Sequence, residues 1–386
     1  MQIETGLTQE ELKRYSRHLL IPEMGLKGQK KLKSSSALVV GAGGLGTPVL
    51  LYLAAAGVGR IGIVDNDLVD TSNLQRQVIH GYSTLGELKV NSAKARMEDV
   101  NSDIQVIAYP EPFTSGNAMR IASGYDILID ACDNFPTRYL ANDICVFLKI
   151  PNVYGSVYRF DGQASVFYAK KGPCYRCLFP EPPPPGLIPS CTDGGVLGVV
   201  PGIIGTIQAT EAIKFLLGIN SKLIGRLLLY DAMEATFDYV NLKKNPDCRV
   251  CGENADIHDL IDYEEFCGVP GFNQVMIQAR NTDSINPLAA KEKIDRNEEV
   301  MLLDVREPHE LAISQIKNAI LIPLNQLAGR TSELSKEKEI IIFCRIGSRS
   351  MRAVQILKGL GFNKVFSLDG GINAWARDVD HSLVEY

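Results

Sequence analysis

The run SALVVGAGGLGTP constrains this chain more than any other. A short apolar segment, strand-like in pattern, leads straight into Gly41, Gly43 and Gly46 in G-x-G-x-x-G spacing, with Gly44 between them, and an apolar helix-like run follows. Glycine permits the tight turn and the close approach of a phosphate to the main chain. The start of the helix offers unpaired N–H groups and partial positive charge. The next strand, RIGIVD, ends on Asp65, where an acidic side chain binds ribose hydroxyls. At this point a nicotinamide-dependent oxidoreductase and an ATP-using enzyme fit equally well. Residues 37–59 carry no charge and imitate a membrane span, but six glycines and a proline within them read as strand, turn and buried helix.

Beyond this motif, strand and helix patterns alternate: RIGIVD, LKVNSAKARMEDV, DIQVIAY, YDILID. Such alternation predicts a mostly parallel sheet covered by helices on both faces. A polar helix-like segment spans 8–31 before it. An alternating strand pair surrounds a turn in NVYGSVYRFDGQASVFYA, PEPPPPGLIP is a stiff loop, a helix is expected near 203–217, and LIGRLLLYDA is a further strand. Three regions result: a domain at 1–251, a linker at 252–274 rich in acidic residues, Gly and Pro, and a compact α/β domain at 275–386. In the last, strand-like MIQA opens the alternation and a helix is expected near 287–296. Net charge is −5, which argues against a general nucleic-acid binder. The first twenty residues are charged throughout and contain no apolar core. No signal peptide is expected, and the compartment is expected to be reducing and cytoplasmic. Nine cysteines in such a compartment are metal ligands or reactive thiols before they are disulfides.

Charged residues crowd the phosphate side. Asp67, Asn73, Arg76 and Gln77 lie in DNDLVDTSNLQRQ, and Lys89 in GELKVNSA. Cations here can hold a triphosphate and stabilise a leaving pyrophosphate, a need that hydride transfer does not have. IDACDNFPTR ends another strand with Asp130, Asp133 and Asn134, where a carboxylate can hold magnesium against phosphate. The plainer alternative makes Arg76 and Lys89 solvated surface charges and Asp133 an N-cap.

Cys174-x-x-Cys177 and Cys248-x-x-Cys251 are two short-spaced pairs; four thiolates form the closed tetrahedral shell of a structural zinc. The alternative is two unrelated buried or redox pairs. Cys132, Cys145 and Cys267 read as packing or linker residues. Cys191, in PSCTDGGV after the proline run, lies on a loop. Cys344 ends the apolar strand EIIIF and begins FCRIGSRS. Loop N–H groups, the helix start, Arg345, Gly347 and Arg349 would favour a thiolate there, and the thiolate is the nucleophile.

These motifs carry two resemblances. RYSRHLL, VVGAGGLG, NLQRQ, GELKVNSA, DACDN, PCYRC, SCTDGGV and PDCRVC resemble the ubiquitin-activating-like adenylyltransferases that activate the sulfur carriers of molybdopterin and thiamine biosynthesis. That resemblance implies a Rossmann-like doubly wound adenylation domain. Its substrates are ATP with Mg2+ and the C-terminal glycine of a small ubiquitin-like carrier ending in Gly-Gly. By motif, Gly41 and Gly43 approach phosphate, Asp65 holds ribose, Arg76 and Lys89 contact phosphates, and Asp133 binds magnesium. Arg17 would reach a partner subunit's site, implying a homodimer, and a cysteine at the Cys191 position attacks the activated carrier or forms a transient disulfide or persulfide link. LLDVREPHEL, FCRIGSRS and SLDGGINAWA resemble a rhodanese (sulfurtransferase) domain. That implies a persulfide on Cys344, loaded by a donor such as a cysteine desulfurase, with Asp304 and Arg306 supporting the loop. One departure concerns the site entrance: QIKNAILIPL stands where many relatives have a His-Ile-Pro-Gly-Ala turn. The competing readings are a non-catalytic scaffold that docks a ubiquitin-like protein and an NAD-dependent oxidoreductase.

Overall fold

The segment SALVV forms β1 (Ser36–Val40), buried along its whole length in the middle of an eight-stranded sheet. The computed structural model describes residues 6–183, 194–268, 283–296 and 299–386, in two compact units, Met1–Val269 and Pro270–Tyr386. In the first unit β2 (Arg60–Val64), β3 (Gln105–Tyr109), β4 (Ile127–Asp130) and β5 (Asn152–Tyr158) are parallel to β1. Then β6 (Asp161–Phe167), β7 (Arg226–Asp231) and β8 (Thr236–Asn241) continue the sheet antiparallel. The order is β3-β2-β1-β4-β5-β6-β7-β8. Connections turn back between β1 and β4, so their C-terminal ends open the crevice where ligands bind in such sheets.

Helices Gly46–Ala56 and Val199–Leu217 cover one face, and Phe135–Leu148 covers the other. Val199–Leu217 is long and apolar enough to cross a membrane by length and composition. It nevertheless carries buried Gln208, whose Nε2 donates to the carbonyls of Asp130 at 2.7 Å and Val153 at 2.9 Å, so it stitches the ends of β4 and β5 together. The charge-free residues 37–59 are β1, the glycine turn and helix Gly46–Ala56. The N-terminal polar segment forms three helices, Gln9–Arg14, Ser16–Leu19 and Gly25–Ser34, instead of one.

The stretch 252–268, read from its composition as linker, corrects that reading, because much of it is packed on the first unit. Helix Tyr263–Phe266 starts at an Asp262 cap, and Tyr263 and Cys267 are buried in the core beneath Phe135–Leu148. The Tyr263 hydroxyl donates to Asp143 Oδ2 at 2.9 Å, and Asp143 is paired bidentately with buried Arg176 at 2.8–3.1 Å. Phe266 lies under the Arg176 guanidinium, 4.4 Å from it. Polar composition misled here because one buried ion pair recruits the segment, and removing one member of such a pair costs about 3–5 kcal/mol.

In the second unit β9 (Ser284–Ile285), β10 (Val300–Asp304), β11 (Ile320–Leu321), β12 (Glu339–Phe343) and β13 (Val365–Leu368) form an all-parallel sheet. Their order is β11-β10-β12-β13-β9, with helices Pro287–Asp295, Ser348–Gly359 and Gly371–Asp378. MIQA lies outside the described residues. Asn318 adopts φ +65°, the left-handed conformation that asparagine tolerates best after glycine. The divergent QIKNA turn therefore has a residue able to take the bend that the relatives' glycine supplies.

Candidate nucleotide and cysteine sites

Gly41 leaves β1 at φ +103°, and a Cβ there would lie 2.6 Å from the Ala131 carbonyl oxygen, at the end of β4. A Cβ on Gly46 would lie 2.0 Å from the Gly41 carbonyl oxygen. Both positions require glycine, so the turn presses the start of helix Gly46–Ala56 against the crevice. Gly43 and Gly44 lie between them, Gly43 beside Gln77 and Gly44 beside Pro201 and Arg76. Half-buried Asp65 pins this loop: its Oδ2 accepts from the Ala42 N–H at 2.8 Å and its Oδ1 from the Asp67 N–H at 2.9 Å. Burial pushes the Asp65 carboxyl up, and nearby Lys89 opposes the rise.

Lys89, buried at the first position of helix Lys89–Val100, pairs with exposed Asp67 at 2.8 Å. Arg76 Nη1 donates to the Ser72 carbonyl at 2.9 Å, so its guanidinium folds back on its own turn. Asn73 closes that turn, its carbonyl accepting from the N–H groups of Arg76 and Gln77. Gln77 is buried with Oε1 unpaired among the described residues. At the end of β4, Asp130 is wholly buried and accepts from the Cys132 N–H and thiol at 3.2 and 2.8 Å. Asp133 remains exposed, because the cap of helix Phe135–Leu148 is Asn134, whose Oδ1 accepts from the Thr137 N–H at 2.9 Å. The N-cap alternative for Asp133 is thereby corrected: its carboxylate is left facing solvent at the sheet's ligand-binding edge. Arg17 is exposed on helix Ser16–Leu19.

Three supports had no signal strong enough to be read from the sequence. His80 is buried, with Nε2 at 3.0 Å from the Ala42 carbonyl and Nδ1 at 2.9 Å from Ser92 Oγ, and burial lowers its pKa. Arg138 donates to Ser156 Oγ at 3.2 Å and to the Cys132 carbonyl at 3.1 Å. Gln208 closes the floor beneath.

The four cysteine sulfurs gather in the first unit. Cys174–Cys248 is 3.5 Å, Cys177–Cys251 3.4 Å and Cys174–Cys177 3.8 Å, and all four lie within 4.8 Å of one another. Thiolates about 2.3 Å from a central zinc would stand about 3.8 Å apart, so this donor set fits a tetrahedral ion with no open position. It would bind the turn after β6 to the turn after β8. Withdrawing a zinc ion from this site with a chelator should lower the thermal midpoint of the first unit by at least about ten degrees, since structural sites contribute folding energy outright. Calorimetry with and without chelator checks this; an unchanged midpoint refutes a structural role. Cys132 and Cys145 are buried packing residues, as is Cys267. Cys191 lies outside the described residues.

In the second unit Cys344 follows β12 directly and is fully buried. Its Sγ accepts from the Gly347 N–H at 3.1 Å, and Gly347 reaches this position at φ +105°, just before helix Ser348–Gly359. Ser350 Oγ is 3.7 Å from the sulfur and 2.7 Å from Ser367 Oγ. A Cβ on Gly371 would lie 2.4 Å from the Cys344 carbonyl oxygen, so this glycine lets a second loop close against the first. Asp304 and Arg306 form a buried bidentate pair at 2.7–3.1 Å, and Arg306 also donates to the Ser314 carbonyl at 2.8 Å. Arg349 is held bidentately by Glu310 at 2.6 and 2.8 Å. Burial raises the Glu310 carboxyl, but Arg349 and neighbouring donors outweigh it and hold the group below its usual range.

A tight glycine turn opening a helix at a sheet's switch point, joined in one chain to a thiol cupped by loop N–H and helix start, is the arrangement of a nucleotide-using enzyme joined to a sulfur-handling module. Comparison with known proteins makes the assignment particular. The ThiF family model matches residues 15–250 and the rhodanese-like domain model residues 286–378. The probable adenylyltransferase/sulfurtransferase MoeZ of Mycobacterium tuberculosis is 44% identical, over 99% of this chain and 97% of its own length. The adenylyltransferase and sulfurtransferase MOCS3 of Mus musculus is 41% identical, over 99% of this chain and 88% of its own. Escherichia coli MccB, 23% identical with a TM-score of 0.57, covers 62% of this chain and 75% of its own, and shares the fold. The chain therefore belongs to the ThiF family, with a C-terminal rhodanese-like domain, and is an adenylyltransferase and sulfurtransferase.

Proposed function

We propose that the first unit adenylates the C-terminal glycine of a small ubiquitin-like sulfur carrier and the second supplies the sulfur. The observation that carries this reading is the Gly347 N–H aimed at the Cys344 sulfur, in a chain whose other unit is of the ThiF family. A carboxylate accepts sulfur poorly because oxide is a poor leaving group. In the first step the carrier carboxylate attacks the α-phosphate of ATP, and pyrophosphate departs with its electron pair. Gly41, Gly43 and Gly44 leave the main chain open to phosphate, and Asp65 faces the ribose. Asp67, Asn73, Arg76, Gln77 and Lys89 line the phosphate side. Asp133 and Asn134 lie at the edge of β4. Asp133, being exposed, is the carboxylate that fits magnesium, whereas Asp130 is wholly buried, with Oδ1 accepting from Cys132 and Oδ2 3.7 Å from the Arg138 guanidinium. The magnesium ion would offset phosphate charge.

A persulfide on Cys344 then attacks the acyl carbon, and AMP leaves. The carrier is now joined to Cys344 through a disulfide. The Cys191 thiolate attacks the Cys344 sulfur of that link, the S–S bond breaks, and the carrier departs as a thiocarboxylate. The resulting Cys191–Cys344 disulfide is reduced by a cellular dithiol, which takes up the oxidising equivalent. The persulfide comes from an upstream donor such as a cysteine desulfurase. Arg17 completes a neighbouring subunit's site in a homodimer, and the enzyme works in the cytoplasm on a carrier of a molybdopterin, thiolated-RNA, thiamine or cysteine pathway.

The test is incubation of the enzyme with ATP, magnesium, a sulfur donor and a small Gly-Gly-ended carrier, followed by intact mass of the carrier. Replacement of one oxygen by sulfur, dependent on ATP, supports the reading. Carrier that is adenylated but never gains sulfur refutes the second step.

A further inference from the structure

His80 lies outside the motifs of the nucleotide end, yet it holds the glycine turn from the interior. Its Nε2 stands 3.0 Å from the Ala42 carbonyl oxygen. A carbonyl only accepts, so Nε2 carries the ring proton. In the neutral ring, which burial favours, Nδ1 then accepts from the Ser92 hydroxyl at 2.9 Å. Ala42 is thereby gripped at both ends: Asp65 Oδ2 accepts from its N–H at 2.8 Å, and His80 donates to its carbonyl. Ser92 stands one turn beyond Lys89 on helix Lys89–Val100. One imidazole therefore joins the glycine turn to the helix that delivers the Lys89 cation.

These bonds fix the direction of the next N–H. In a trans peptide the C=O of one residue and the N–H of the following residue point opposite ways. The Ala42 carbonyl is turned inward, to a side chain only 6% exposed, so the Gly43 N–H is turned outward. Ala42 is itself buried, whereas Gly43 and Gly44 are half-buried, and the N–H groups of both have no partner among the described residues. Two successive N–H groups before a helix start are donors for an anion. Without the imidazole proton the Ala42 carbonyl would be buried unpaired, and the peptide would gain by rotating toward another donor. The Gly43 N–H would lose its bearing with it.

We propose that His80 is a positioning residue for nucleotide binding: by holding the Ala42 carbonyl in the interior it aims the Gly43 N–H at the phosphates of ATP. The imidazole touches no nucleotide and acts through one peptide group. That group is set before the nucleotide arrives, so no reorganisation is needed when phosphate accepts from it. The proposal rests on the reading of this turn as the phosphate side of the ATP site.

The experiment is equilibrium binding of magnesium–ATP and, separately, of adenosine, which has no phosphate, to the full chain. His80→Leu removes the donor and keeps an apolar side chain in the space. His80→Gln keeps an amide N–H for the Ala42 carbonyl. A hydrogen bond to a charged group corresponds to about a tenfold change or more. We expect Kd for magnesium–ATP to rise about tenfold in His80→Leu and to stay within about threefold of wild type in His80→Gln, with Kd for adenosine within about twofold in both. A histidine that only packs would lower the thermal midpoint and weaken both ligands equally, or neither; either result overturns the proposal. If His80→Leu fails to fold, Ser92→Ala carries the test, since it leaves the bond to Ala42 but frees the far side of the ring. There Kd for magnesium–ATP should rise about fivefold with adenosine unchanged, and a rise of less than about twofold overturns the proposal. Wild-type enzyme that binds magnesium–ATP no more tightly than adenosine overturns the phosphate reading of the turn, and the proposal with it.

Discussion

Replacing Cys344 with Ala should lower sulfur transfer to the carrier by at least about a thousandfold, because the nucleophile is gone, while carrier-dependent ATP–pyrophosphate exchange stays within about twofold of wild type. In the proposed reading the two activities draw on different compact units: the glycine turn, Lys89 and Asp133 belong to Met1–Val269, Cys344 to Pro270–Tyr386. Cys344 is fully buried among Ile342, Val354 and other apolar side chains, so alanine leaves a small void. That void costs about 1 kcal/mol or somewhat more, too little to unfold the unit and far too little to explain a thousandfold loss. Cys344→Ser, which nearly preserves the volume, should behave the same way. Radiolabel exchange and carrier mass on one preparation check both halves. If exchange falls along with sulfur transfer, the division of labour between the units is wrong.

Lys89→Ala should lower pyrophosphate exchange by about a hundredfold to a thousandfold, the usual consequence of losing one preorganised partner of a developing charge. Its thermal midpoint should move little. Lys89 is paired with Asp67, whose side chain is 63% exposed, and such pairs contribute about 1 kcal/mol or less. Loss of exchange with an unchanged midpoint assigns the cation to phosphate. Lys89 is buried, so the plainer alternative of a solvated surface charge is already corrected; unchanged exchange would leave it a buried cation with no part in phosphate binding, and a collapse of both would make it a structural cation. Sulfur loading of Cys344 from thiosulfate, measured in the same variant, reports on the other unit.

Much of this was legible from spacing. G-x-G-x-x-G after an apolar strand locates a turn because only glycine survives the approach of Ala131 to Gly41 and of Gly41 to residue 46. Two C-x-x-C pairs foretold the gathering of four sulfurs, since each pair spans one turn. A cysteine at a strand end before a helix foretold a cupped thiol. Other features gave no local sign. His80, Arg138 and Gln208 matter through Ala42, Ser156 and Asp130, 38, 18 and 78 positions away. The segment at 252–268 looks like a tether because its polarity is visible, while the buried Arg176–Asp143 pair that holds Tyr263 is spread over distant positions.

What the amino-acid order determined by itself was therefore the local chemistry: which turns need glycine, which thiols stand in pairs, which strand delivers a lone cysteine to a helix start. Only the tertiary structure decided which neighbours hold those groups in place. It made Asn134 instead of Asp133 the helix cap, tied Asp65 to the glycine loop, and folded Tyr386 back between Arg345 and Glu310. The physical reason is range. Backbone conformation and metal-ligand spacing act over a few residues and leave a pattern there, whereas burial and hydrogen-bond satisfaction are settled by whatever the fold brings near, at any separation along the chain.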